Sequence, residues 1–141
     1  SISQIGIAQT TSSTLEAPAR ILTQSVLLDK CLSDPKNIYS QERDICFVQE
    51  SERKDKEIEG IIERQWQRIF SADNDVGASE DLKADQAAGL HASQTDWLVY
   101  RESWCRHVAD MVVGTGRPSA YVQCKLEFAK KRITELIELD Y

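Results

Sequence analysis

Apolar residues along the chain recur at three- and four-residue intervals and nowhere show the strict alternation of a strand, so the pattern predicts helices throughout. Ala19–Leu32 places Leu22, Val26, Asp29 and Leu32 near one face, with Ile21, Ser25 and Leu28 beside them. This predicts a short amphipathic helix ending at Cys31. Ser33-Asp34-Pro35 then breaks the chain, with Asp34 in the role of N-cap and Pro35 at a first helical position. From about Gln41 to Phe70 a long helix is expected, with Val48, Ile58, Ile62, Trp66 and Ile69 on one stripe. Its other side carries Glu50–Lys54 and Glu52–Lys56, acid before base at i,i+4, which predicts an exposed surface. At about 1.5 Å per residue this helix spans about 45 Å.

Residues Ser71–Ala78 read as a loop, and Ser79 as the N-cap of a third helix with Glu80 and Asp81 in its first turn, where a negative charge complements the helix dipole. That helix is expected to reach Val113, with Leu90, Gln94, Trp97, Leu98, Arg101, Cys105, Val108 and Val112 on one face. Gly114-Thr115-Gly116 ends it, and Pro118 opens a last helix to about Leu139 whose apolar face is Val122, Leu126, Ala129, Ile133, Leu136 and Ile137. The fold class predicted is all-α: a long antiparallel helical hairpin with shorter flanking helices. Residues 1–18, rich in Ser, Thr and Gln and without periodicity, are expected to form a flexible N-terminal segment, and 19–141 a single helical domain.

The composition fits that picture. The 141 residues include 28% charged and 41% hydrophobic side chains, the balance of a folded chain of ordinary domain size. Apolar runs such as Val26-Leu27-Leu28 and Met111-Val112-Val113 are far too short for a transmembrane segment. A net charge of −6 argues against nucleic acid as a partner, since affinity there comes from cationic neutralisation of phosphates. It favours a basic protein partner, although solubility alone accounts for such a charge. Four cysteines without a CxxC pair argue against a redox motif or a zinc ribbon. They are read as two disulfides formed in an oxidising compartment, while four buried cytosolic thiols would give the same count.

Two polar residues, Gln94 and Arg101, interrupt the apolar face of the third helix, and Asp55 interrupts that of the second. With the hairpin tip near Asp75, Asp55 lies roughly opposite Thr95, and Arg101 can reach that level because helical side chains point toward the N-terminus. A buried Asp55–Arg101 pair with Gln94 close by is therefore expected, its role fixing helix register rather than catalysis. Trp97 reads as core, and Tyr100 and Trp104 lie at its flank. There they either anchor an interface or pack on the last helix. Nothing assembles a nucleophile, base and oxyanion site: Ser103 has no elbow context, and GTGRP is a turn rather than a phosphate loop. His91 and His107 are 16 residues apart with no ligand spacing around them, so no metal or other cofactor is expected.

The string Asp85-Gln86, Leu90 and Ser93-Gln94-Thr95-Asp96-Trp97-Leu98-Val99-Tyr100-Arg101-Glu102-Ser103-Trp104-Cys105 resembles the core of the LprI-like family. This is a bacterial domain of mostly unknown function whose named member is a lipoprotein inhibitor of lysozyme. Cys31…Cys46…Glu52-Arg53-Lys54-Asp55-Lys56-Glu57-Ile58 and Gly114-Thr115-Gly116…Cys124…Arg132-Ile133-Thr134-Glu135-Leu136 are similar to its opening and closing stretches. The resemblance covers about residues 31 to 136. Glu59-Gly60 departs from the usual Leu-Asn-type pair, Trp66 lies near the usual Tyr, and a mid-helix Gly60 suggests close helix contact. The chain does not begin with Cys, so the named member's lipid anchor is not carried over.

The resemblance implies an exported, periplasmic or secreted helical domain with Cys31–Cys46 and Cys105–Cys124 as its disulfides. Three readings follow. The first is a binding protein whose partner is a basic lysozyme. The second is a structural or stress-related envelope protein that binds another partner through Tyr100, Trp104 or the loop at Asp73–Ser79. The third, a cell-wall enzyme using carboxylates, is the weakest, and the chain is taken as a non-enzyme.

Overall fold

The computed structural model describes residues 26–71 and 78–139. The expected N-terminal segment 1–18, the beginning of the first helix and all but the ends of the Ser71–Ala78 loop lie outside the described residues. The described chain is helical with no strand, and none of its helices is long and apolar enough to cross a membrane. It divides into two compact units, Ser1–Cys46 and Phe47–Tyr141.

In the first unit, helix α1 (described over 26–33) runs two residues beyond the expected end at Cys31. Asp34 does not cap a helix. Its carboxylate accepts the Lys36 N–H at 3.0 Å and its carbonyl accepts the Asn37 N–H at 2.9 Å, closing a turn around Pro35. The same Asp-Pro pair that can start a helix also suits the first two positions of a turn, and here the turn prevails. The Asn37 side-chain amide donates to the Cys31 carbonyl at 2.7 Å, satisfying one of the open acceptors at the end of α1. The Cys31–Cys46 disulfide ties α1 to the first turns of α2 across a separation of 15 residues.

Helix α2 (Ser40–Phe70) continues into the second unit, which also holds α3 (Glu80–Asp110) and α4 (Arg117–Glu138). Ser79 caps α3 by accepting the Leu82 N–H at 3.1 Å, with Glu80 and Asp81 in the first turn as expected. Helix α3 stops at Asp110, three residues before the expected end. Gly114 follows at φ +94°, a left-handed conformation that only glycine adopts without strain, and the Arg117 side chain donates to the Val112 carbonyl at 3.0 Å. Helix α4 runs back along α3, and the Cys105–Cys124 disulfide joins them near that turn.

The core is built by Ile58 and Ile61 of α2 with Ala129, Ile133 and Leu136 of α4, and Ile62 and Trp97 pack against it. Each Ile or Leu fully removed from water contributes about 1.5–3 kcal/mol. Gln65 donates to the Leu136 carbonyl at 2.9 Å, so α2 also satisfies an open acceptor at the end of α4.

The expected face of α2 is corrected. Val48 and Trp66 are about 40% exposed, whereas Glu50 and Lys54, expected on the solvent side, are buried. Cys46, Glu50, Lys54, Ile58 and Ile61 follow at the spacing of one helical face, so the two Ile side chains that enter the core carry Glu50 and Lys54 inward with them. Glu50 is paired with Arg53, and Lys54 with Glu57 at 3.8 Å. Glu52 and Lys56 are exposed, as expected.

Gly60 is likewise not a point of close helix contact: a Cβ there would meet only the Arg64 guanidinium, at 3.4 Å. Gly60→Ala should therefore raise stability by about 0.5–1 kcal/mol, the helix-propensity difference. Urea denaturation at neutral pH measures it, and a loss of stability would show that backbone freedom at residue 60 is needed.

Candidate functional site

Helix α3 turns Arg101 inward, and α2 meets it with Asp55. The two guanidinium nitrogens donate to the two carboxylate oxygens at 2.7 and 3.2 Å, a paired geometry that suits both planar groups. The Arg101 side chain is only 7% exposed and that of Asp55 34%, so the cation is enclosed while the anion reaches the surface.

Trp97, one turn before Arg101, lays its ring 4.5 Å from the Arg101 guanidinium carbon. A second guanidinium, that of Arg132 on α4, lies 5.8 Å from the same ring. Arg132 donates to the Gln94 side-chain oxygen at 3.1 Å and to the Ser93 hydroxyl at 3.3 Å, and pairs with Glu135 at 3.6 Å. The Gln94 oxygen is thus held by Arg132. The sequence assigns Gln94 to the surroundings of Asp55, and both line one cleft; Arg132 enters the sequence reading only through the closing stretch of the resemblance, with no partner assigned.

Between α2 and α3 the surface opens into a cleft of about 250 Å³, walled by Ile58, Ile62, Trp97 and Leu98, with Gln94 and the carboxylates of Asp55, Glu59 and Glu63 also lining it. A smaller recess of about 160 Å³ lies between α2 and α4, where Asp55 again contributes, beside Ser51, Glu52, Tyr121 and Lys125. Tyr121 donates to Glu102, which also pairs with Arg106 one turn along α3. The hydrogen bond from Tyr121, reinforced by that from Arg106, holds the Glu102 carboxyl below its ordinary range. Burial, together with that hydrogen bond, pushes the Tyr121 phenol above its own ordinary value.

Of the two aromatic residues, Tyr100 packs on the last helix as one expectation had it, whereas the ring contacts of Trp104 lie within α3. Tyr100 is 55% and Trp104 44% exposed, with stacked rings 6.3 Å apart. Tyr100 also meets Phe128 of α4 at 5.6 Å, and Trp104 meets His107 at 5.7 Å. All four cysteines are engaged, in Cys31–Cys46 and Cys105–Cys124. Among the described residues no three His, Cys, Asp or Glu side chains converge as a metal site would require.

The model of the lysozyme inhibitor LprI family matches residues 31–136, most of the chain. The chain belongs to that family. No curated protein and no solved structure gives a significant match. In this LprI domain the stretch that carried the resemblance has a clear physical role: Arg101 pairs with Asp55, Trp97 packs against the core, Gln94 holds Arg132, and Cys105 enters a disulfide. Glu59 and Glu63 line the cleft although the sequence reading assigns neither to a site; Glu59 belongs to the Glu59-Gly60 pair that departs from the resemblance.

Two outcomes test this arrangement. Asp55→Ala leaves the Arg101 guanidinium enclosed and unpaired, so it should cost about 3 kcal/mol in urea denaturation, and a loss under about half a kcal/mol would refute the pairing. Tyr121→Phe should cost about 1 kcal/mol at pH 7, allowing for the exposure of Glu102. Because the native carboxyl is depressed, its stabilisation is present above the ordinary carboxylate range and is lost as pH falls through the lower native value. The gap between wild type and Tyr121→Phe should therefore narrow in acid; a gap of constant size would assign the effect to packing.

Proposed function

We propose that this chain is an exported binding protein that acts by occupying a lysozyme, with 19–141 working as one functional domain and without turnover of its own. The observation that carries this reading is the family match over residues 31–136, since the family is one of lysozyme inhibitors. Two further features support it. All four cysteines are paired in disulfides, a state that persists in the periplasm or outside the cell rather than in a reducing cytosol. A net charge of −6 complements a basic enzyme and speeds its encounter.

The contact surface proposed is the half-exposed ledge of Tyr100 and Trp104. Aromatic side chains offer large rigid contact areas at little entropic cost, and they dominate binding hot spots. Phe128 supports this ledge from α4, so it is held in place before a partner arrives.

The oxidised protein titrated against a basic c-type lysozyme in a muramidase assay should inhibit stoichiometrically. Inhibition should weaken as salt rises from about 10 mM to about 150 mM, where the screening length falls from about 30 Å to about 8 Å. Full muramidase activity at a large molar excess of the protein would overturn the inhibitor reading in favour of another envelope partner.

A further inference from the structure

We propose that the cleft between α2 and α3 receives an arginine or lysine side chain from a basic partner protein, a step that rests on the lysozyme-binding reading and gives it a docking point. The cleft, at about 250 Å³, has room for one long side chain. Its walls are mostly apolar, with Ile62 half-buried and Leu98 44% exposed, and they suit the aliphatic stem of such a residue.

Charge selects the head group. Asp55, Glu59 and Glu63 follow at four-residue spacing and so form one row of carboxylates along α2. Asp55 is matched by Arg101, and among the described residues Glu63 accepts only the neutral Gln67 amide, at 2.9 Å. Glu59 has no hydrogen bond or ion pair among the described residues. Like charges one turn apart repel, and a cation seated between Glu59 and Glu63 removes that repulsion. An anionic group is rejected by the row, and a wholly apolar one would strip water from carboxylates without replacing it. The Trp97 ring already faces Arg101 and Arg132, so the carboxylates hold the incoming cation.

The test uses the full oxidised chain and its Glu59→Gln/Glu63→Gln variant, two near-isosteric changes on an exposed helix surface, with circular dichroism to verify the fold. Two probes are titrated: a tri-arginine peptide followed by amide and indole chemical shifts, and a basic c-type lysozyme followed by calorimetry at low salt. Peptide-induced shifts at Glu59, Glu63 and the Trp97 indole are expected, with lysozyme affinity in the double variant lower by about tenfold or more. Lysozyme binding that changes less than about twofold in the variant overturns the cleft proposal and leaves the inhibitor reading standing. Peptide shifts at the cleft without any lysozyme association do the reverse, keeping the cleft as a site for a different basic protein. Peptide shifts confined to other surfaces also overturn the cleft proposal.

Discussion

A guanidinium keeps its charge at every pH a protein meets, and Arg101 carries that charge into the interior. Helix α3 cannot turn this residue inward unless an anion stands opposite, and Asp55 is that anion. The pair fixes how far α2 is slid along α3: a displacement of one turn, about 5.4 Å, would separate the groups and strand the cation. The cleft, the smaller recess and the row of carboxylates all depend on this register, because Asp55 belongs to each of them. Trp97 and Arg132 extend the same network to α4, so one charged contact organises all three long helices.

The parts of this arrangement that follow from local rules were legible in the sequence. Ser79, the apolar face of α4 from Leu126 to Leu136 and the pairing partners Asp55 and Arg101 all announce themselves by spacing and residue type. The inward turn of Glu50 and Lys54 did not, since two charged residues at i,i+4 read as a solvated surface until Ile58 and Ile61 are known to set the buried face. Asp34-Pro35 was ambiguous for another reason: a helix start and a turn share that dipeptide, and the Asn37 contact that accompanies the turn is not local in pattern. The role of Arg132 was not legible because its partners, Gln94 and Ser93, lie on a different helix.

Several residues that carry the family resemblance hold the helices together. Gln94, Trp97, Arg101 and Cys105 serve the interior, while Val99 and Tyr100 of the same stretch are more than half exposed. Membership therefore speaks first to architecture, and on the proposed binding reading partner choice falls to exposed side chains such as Glu59, Glu63 and Trp104. Two domains of this kind can share every interior contact and still differ in what they hold.

The two disulfides divide the chain in a way that has a biochemical consequence. One closes on the amino-terminal side of the α2–α3 connection and the other on the carboxyl-terminal side, with separations of 15 and 19 residues. Neither bridge crosses from α2 to α3, so only the backbone through 72–77 links those helices covalently. A single proteolytic cut there would leave two fragments, each with its own intact cystine, held together by the Asp55–Arg101 pair, the Gln65 contact and the shared core. Such a nicked protein would run as two pieces on a denaturing gel even without reductant, while remaining one particle in native buffer.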